Sequence, residues 1–203
     1  MIVVFILTTI MVKAQNDWET WLTLNVSGNI SERFKIILEG EDRFKHKSNE
    51  IKYFHYDVGL TYKISSKITT GLFFREIYAT KNKVSTRLQQ PHIDVFWKEP
   101  VGFKFRGRLE YQMFHSLNPD LENQFRLRLR PAWQFSFWNN YNPFIQSEIF
   151  FNEKYTLTRN RFSAGITVKL GKIQIQPNYT LEHNNKNIWT NRDIIWVNTK
   201  FKF

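Results

Sequence analysis

Five glutamates recur along the chain at a near-constant interval: Glu39, Glu76, Glu110, Glu148 and Glu182. Between them fall arginines spaced by two, as Arg106 and Arg108, then Arg126, Arg128 and Arg130, then Arg159 and Arg161. A carboxylate and a guanidinium on neighbouring strands form charge-assisted, often bidentate bonds. The pattern therefore predicts a belt of ion pairs on one enclosed face. Such a belt has two uses. It satisfies the polar groups of a narrow interior by filling it with side chains, and where cations outnumber carboxylates it favours anions. Lys104 and the seven arginines outnumber Glu110 and Glu148 in their sector, so any conductance should prefer anions.

Other chemistry is weaker. His115-Ser116 is the one adjacent His-Ser pair, but a nucleophile needs a base and an orienting group within reach. Neighbours on a strand face opposite sides, and no acid is placed to orient His115, so catalysis is not expected. His92 and Asp94 share a face, yet five scattered histidines and no cysteine give no metal-ligand spacing. No cofactor is expected. The formal charge of +11 invites a nucleic-acid partner, but the basic residues sit at period two inside strands, where a closed wall would hide them.

The elements that must hold these residues are strands. Phe103, Phe105, Leu109, Tyr111 and Met113 alternate with Lys104, Arg106, Arg108, Glu110 and Gln112, and Phe125, Leu127, Leu129 and Trp133 alternate with the arginines between them. A spacing of two separates the sets onto opposite faces. The same split recurs over Arg33 to Lys45, Phe54 to Tyr62, Phe162 to Leu170 and Ile195 to Phe203. In the fourth segment Gly71, Phe73, Arg75 and Ile77 compete with Leu72, Phe74 and Glu76 for the apolar face.

A soluble barrel would turn the apolar faces inward, whereas an outer-membrane barrel turns them to lipid. Runs of about 10 to 13 residues, long for soluble strands, match an apolar band of ~25 Å. Aromatics gather toward the strand ends: Tyr62, Trp97, Trp133, Phe135 and Phe203 near one rim, and Phe44, Tyr78 and Tyr155 near the other. Such rings suit membrane interfaces. Absence of cysteine excludes a disulfide framework. Residues 1–15 read as a secretory signal, their apolar run being too short to span a bilayer, and residues 16–203 as one barrel domain.

Turn signals fall at Ser27-Gly28-Asn29, Ser65-Ser66-Lys67, Glu99 to Gly102, Asn139 to Asn142 and Gly171-Lys172. They interleave with polar loops around His46 to Glu50, Lys81 to Thr86, Ser116 to Glu122, Asn152 to Leu157 and Asn184 to Thr190. This is a chain of hairpins. Eleven candidate strands result, the first being Trp18 to Ser27. Bacterial single-chain barrels have even numbers, so the expectation is ten strands, if the first is not a full wall strand, or twelve.

Trp18 and Trp21, Glu39-Gly40-Glu41-Asp42-Arg43-Phe44, Arg108-Leu109-Glu110, Arg126-Leu127-Arg128-Leu129-Arg130-Pro131, Glu148-Ile149-Phe150-Phe151-Asn152 and the closing Phe203 together resemble one family. It is the Bacteroidota outer-membrane barrels grouped as domain of unknown function 2490. The resemblance covers the mature chain and implies an outer-membrane location with no established activity. The expectation is an all-β, up-and-down antiparallel transmembrane β-barrel in the bacterial outer membrane. Its partners would be outer-membrane lipid, lipopolysaccharide and, during biogenesis, the barrel-assembly machinery. Rim cations such as Arg75 and Lys81 would meet lipopolysaccharide phosphates. Functionally it would be a largely self-filled barrel or a narrow anion-preferring pore. An intramembrane lipid-modifying hydrolase and a structural or assembly partner in the envelope remain as alternatives.

Overall fold

The computed structural model describes residues 18–45, 50–81, 84–115, 122–136, 140–186 and 188–203. The expected signal segment, and the expected turn or loop positions at 46–49, 82–83, 116–121, 139 and 187, lie outside the described residues. Eleven strands make up the wall. They are β1 (Trp18–Asn29), β2 (Phe34–Lys45), β3 (Glu50–Lys63), β4 (Ile68–Lys81), β5 (Val84–Lys98), β6 (Phe103–His115), β7 (Gln124–Gln134), β8 (Tyr141–Asn152), β9 (Leu157–Leu170), β10 (Ile173–Lys186) and β11 (Ile188–Lys202).

Each strand pairs antiparallel with the next, and the barrel closes by parallel pairing of β1 with β11, in register from Trp18 opposite Asp193 to Ser27 opposite Lys202. The first segment is thus a full wall strand and the count is odd. An even number is needed only when the seam is antiparallel, and here the first and last strands run the same way. The terminal residue completes the seam, the Phe203 N–H donating to the Ser27 carbonyl at 3.1 Å.

The short turns and Phe203 lie at one end, called the turn end, and the other connections at the loop end. The turns at 64–67, 99–102 and 171–172 fall where the sequence marks them. The first does not: β1 runs on through Gly28 and Asn29, and the chain reverses over residues 30–33. Gly28 is needed inside the strand because the Phe203 ring occupies its side-chain space, within 2.4 Å of where a Cβ would stand. At the loop end β10 and β11 extend through most of the expected Asn184 to Thr190 loop, pairing as far as Lys186 opposite Ile188.

The strands are 11 to 15 residues long and their two faces differ sharply. Leu22, Leu24, Leu38, Val58, Leu72, Ile93, Leu109 and Phe162 face out and are exposed, while Asp94, Arg108, Glu110, Glu148 and Glu182 face in and are at most 1% exposed. Charge inside and hydrocarbon outside is the reverse of a water-soluble protein and the pattern of a lipid-embedded barrel. Trp97, Trp133, Phe135 and Phe203 ring the outside of the turn end, and Tyr78, Phe125 and Tyr155 that of the loop end.

The ambiguous β4 resolves with Phe73, Arg75 and Ile77 inward and Leu72, Phe74 and Tyr78 outward. Phe73 fits inside because its ring covers Gly59 and Gly71, within 2.0 and 2.7 Å of where their Cβ atoms would be. It stacks on His92 with ring centroids 5.0 Å apart. The lumen also holds an apolar cluster at the seam, where Trp21, Ile194 and Trp196 pack together. Its two indoles meet edge to face at 5.5 Å.

Candidate functional site

Strand alternation brings the inward charges to mid-height, where they close on one another. On β2 to β6, Arg75 donates to Asp57 Oδ2 from Nε at 3.0 Å and from Nη2 at 2.7 Å, and to Glu39 Oε1 at 3.1 Å. Asp94 accepts Arg108 Nε at 2.8 Å and Arg106 Nε at 3.0 Å. His55 Nε2 lies 3.4 Å from Glu39, and His92 Nε2 lies 3.6 Å from Asp57 and 3.9 Å from Asp94.

Across β6 to β11 the pattern shifts to glutamate shared among arginines. Arg126 pairs with Glu110. Glu148 takes Arg128, Arg130 Nη1 at 3.4 Å and Arg161 Nη1 at 3.2 Å. Glu182 takes Arg161 Nε at 2.6 Å, with Arg159 Nε at 3.8 Å and Arg192 Nη1 at 3.7 Å. Two aromatic rings sit among these cations. Phe150, 2% exposed, has the guanidinium carbons of Arg126, Arg128, Arg159 and Arg161 between 4.9 and 5.4 Å from its centroid. Trp21 has Arg43 at 3.7 Å and Arg161 at 4.6 Å. A cation over a ring face is attracted by its quadrupole, more strongly once desolvated, so the rings help to hold like charges close together.

Of the belt residues named from sequence, Glu39, Glu110, Glu148, Glu182, Arg106, Arg108, Arg126, Arg128, Arg130, Arg159 and Arg161 all meet in this waist. Glu76 does not. It stands on the outward face of β4, opposite Tyr56 of β3, and accepts the Tyr78 hydroxyl at 2.9 Å together with Tyr56 and the Nε of Arg87. These side chains lie over it, so it is covered by its neighbours rather than by the lumen. Its sequence neighbour Arg75, expected at a rim, takes the inward place. Glu41, Arg43 and Arg192 also join the waist, and Phe150 and Trp21 were not legible as interior rings because aromatics mark the lipid face elsewhere.

Beyond the waist the lumen is basic at both ends. At the turn end the inward register positions carry Lys35, Lys98, Lys104, Lys169 and Lys200. None of them pairs with a carboxylate among the described residues. Lys104 donates to the Gln134 side-chain oxygen and otherwise meets the like charges of Lys98, Lys169, Lys202 and Arg130, while Lys200 meets those of Arg130, Lys104 and Arg106 against Glu39. At the loop end a cavity of about 160 Å³ opens above Phe150 between Arg126 and Arg159.

His115 is exposed on the outer face, its Nε2 3.1 Å from Gln89 Oε1. Ser116 lies outside the described residues. Among the described residues no group of three or more His, Cys, Asp or Glu is placed to hold a metal ion.

The solved structures include the NanC porin, which shares 11% identity over 92% of this chain and 99% of its own, with a TM-score of 0.59. That likeness concerns the fold, a porin-like closed barrel. The siderophore receptor PirA from Pseudomonas aeruginosa aligns over 77% of this chain and 32% of its own, at 11% identity and a TM-score of 0.30. No curated protein matches. Residues 18–192, nearly the whole wall, match the family described as protein of unknown function (DUF2490), and the chain belongs to that family.

Proposed function

We propose that the protein is a porin-like barrel of the bacterial outer membrane whose narrow lumen passes small anions, its waist closed at rest by its own ion pairs. The turn end then faces the periplasm and the loop end the cell exterior, against lipopolysaccharide. The barrel-assembly machinery is the protein's partner during biogenesis. One observation carries the reading: mid-height cations are matched by carboxylates, whereas the turn-end lysines are not. Unmatched like charges in a confined mouth lower their energy by attracting counter-anions. An anion that reaches the waist can replace a shared carboxylate such as Glu148 on one guanidinium while that carboxylate keeps its other two arginines, so no buried charge is left unpaired.

Planar-bilayer recording of the purified mature protein under a salt gradient tests it. The expected reversal potential is that of an anion-selective path with small conductance. A cation-selective potential, or bilayers that stay silent at every voltage, would overturn it. Silence would favour a second reading, a self-filled barrel acting as an envelope scaffold, which the nearly complete burial of Asp94, Arg108, Glu110, Glu148 and Glu182 supports.

A further inference from the structure

The cavity above Phe150 has the chemistry of a binding site, and we propose that it takes a small hydroxylated oxyanion, a carboxylate or phosphate joined to a polyol. This deepens the anion reading above and rests on it for how the ligand arrives.

The lining contains no carboxylate: the cavity is bounded by Arg126, Arg159, Phe150, a threonine and side-chain amides. The nearest acids are already occupied beneath it, Glu110 by Arg126 and Glu182 by Arg161. Arg159 is the open cation. Its Nε donates to Asn184 Oδ1 at 2.6 Å and lies 3.8 Å from Glu182, which leaves both Nη groups, among the described residues, with no acceptor. A guanidinium fork of this kind suits the paired oxygens of a carboxylate or phosphate.

The amides define the rest of the ligand. Asn152 spends its oxygen on the N–H groups of Lys154 at 3.1 Å and Thr156 at 2.9 Å, so its Nδ2 remains to donate. Gln112 and Gln124 meet at 3.1 Å; the Gln112 oxygen accepts from Arg126 Nη1 at 3.2 Å and Nη2 at 3.3 Å, so it is Gln124 that keeps further hydrogen-bonding capacity. A bare halide would leave these amides without partners, whereas hydroxyl groups both donate to and accept from them. Phe150 supplies an apolar floor for the carbon skeleton. A cavity of about 160 Å³ compares with the ~150 Å³ that accepts benzene, so the ligand has on the order of six to ten non-hydrogen atoms.

The test is calorimetric titration of the folded barrel in detergent with glycerol 3-phosphate and glycerate, against glycerol and inorganic phosphate. The hydroxylated anions are expected to bind, glycerol not at all, and inorganic phosphate more weakly. Arg159→Gln should weaken glycerol 3-phosphate at least tenfold. Asn152→Ala, which touches no ion pair, should weaken it several-fold while leaving inorganic phosphate unchanged. Equal binding of glycerol, equal binding of inorganic phosphate, or unaltered affinity in either folded variant would overturn the site. Bilayer selectivity recorded on the same preparations separates the two claims. Anion selectivity without binding removes this site alone, and binding without anion selectivity removes the conduit while the site stands.

Discussion

Glu148 holds three guanidiniums, those of Arg128, Arg130 and Arg161, from a position 1% exposed. Replacing one partner of a buried ion pair leaves the others uncompensated, at about 3–5 kcal/mol. Glu148→Gln is therefore expected to lower stability by about that amount, read as an earlier urea midpoint in lipid vesicles and an earlier loss of heat-modifiable gel mobility. Glu76 and Arg75 show how far single residues were legible. The glutamate repeat suggested that Glu76 belonged with the other four, but adjacent residues in a strand face opposite ways, and Phe73-Phe74 offered an aromatic to either side. The choice was made by Gly59 and Gly71, which leave room inside for the Phe73 ring, a cross-strand fact that no local pattern carries. Two glutamate variants should accordingly behave differently. Glu110→Gln frees Arg126 in the lumen and should raise anion preference in bilayer recordings, whereas Glu76→Gln, on the outer wall, should leave selectivity as it was.

Strand positions and facing were readable because a two-sided wall imposes strict alternation, and β6, β7 and β9 follow it without exception at the residues that carry charge. Two things about the elements were not readable. Gly28 looked like a turn because glycine usually marks one, yet here it makes space for an aromatic ring from the far end of the chain. Parity was the other: the rule of even strand number is a statement about antiparallel seams, and nothing within β1 announces that its partner runs alongside it. The parallel seam is directly testable in a chain with no native cysteine. Leu22 pairs with Val197 across β1 and β11, and both positions lie on the outer face. A Leu22→Cys, Val197→Cys double variant should form a disulfide on mild oxidation and shift in non-reducing gels. Offsetting one cysteine to Leu24 should abolish the link, because parallel neighbours two residues out of register are too far apart. A barrel closed through an additional strand would give no link in either variant.

For the molecule as a whole, charge is graded along the axis: amides and open arginine at the loop end, matched ion pairs at the waist, and unmatched lysines at the turn end. The sequence made the excess of positive charge obvious, but not its distribution, because pairing depends on which strands are neighbours and at which level. If the lysine mouth sets selectivity, Lys104→Gln with Lys200→Gln should move the reversal potential toward zero without altering stability appreciably, since neither side chain pairs with a carboxylate. The seam has a further consequence for the geography of the polypeptide. Because β1 and β11 run the same way, β1 enters the wall at the rim opposite Phe203, so Trp18 and Phe203 stand at opposite rims of the barrel. A circular permutant that joined Phe203 to Trp18 would have to cross the full height of the wall, which no brief linker could do.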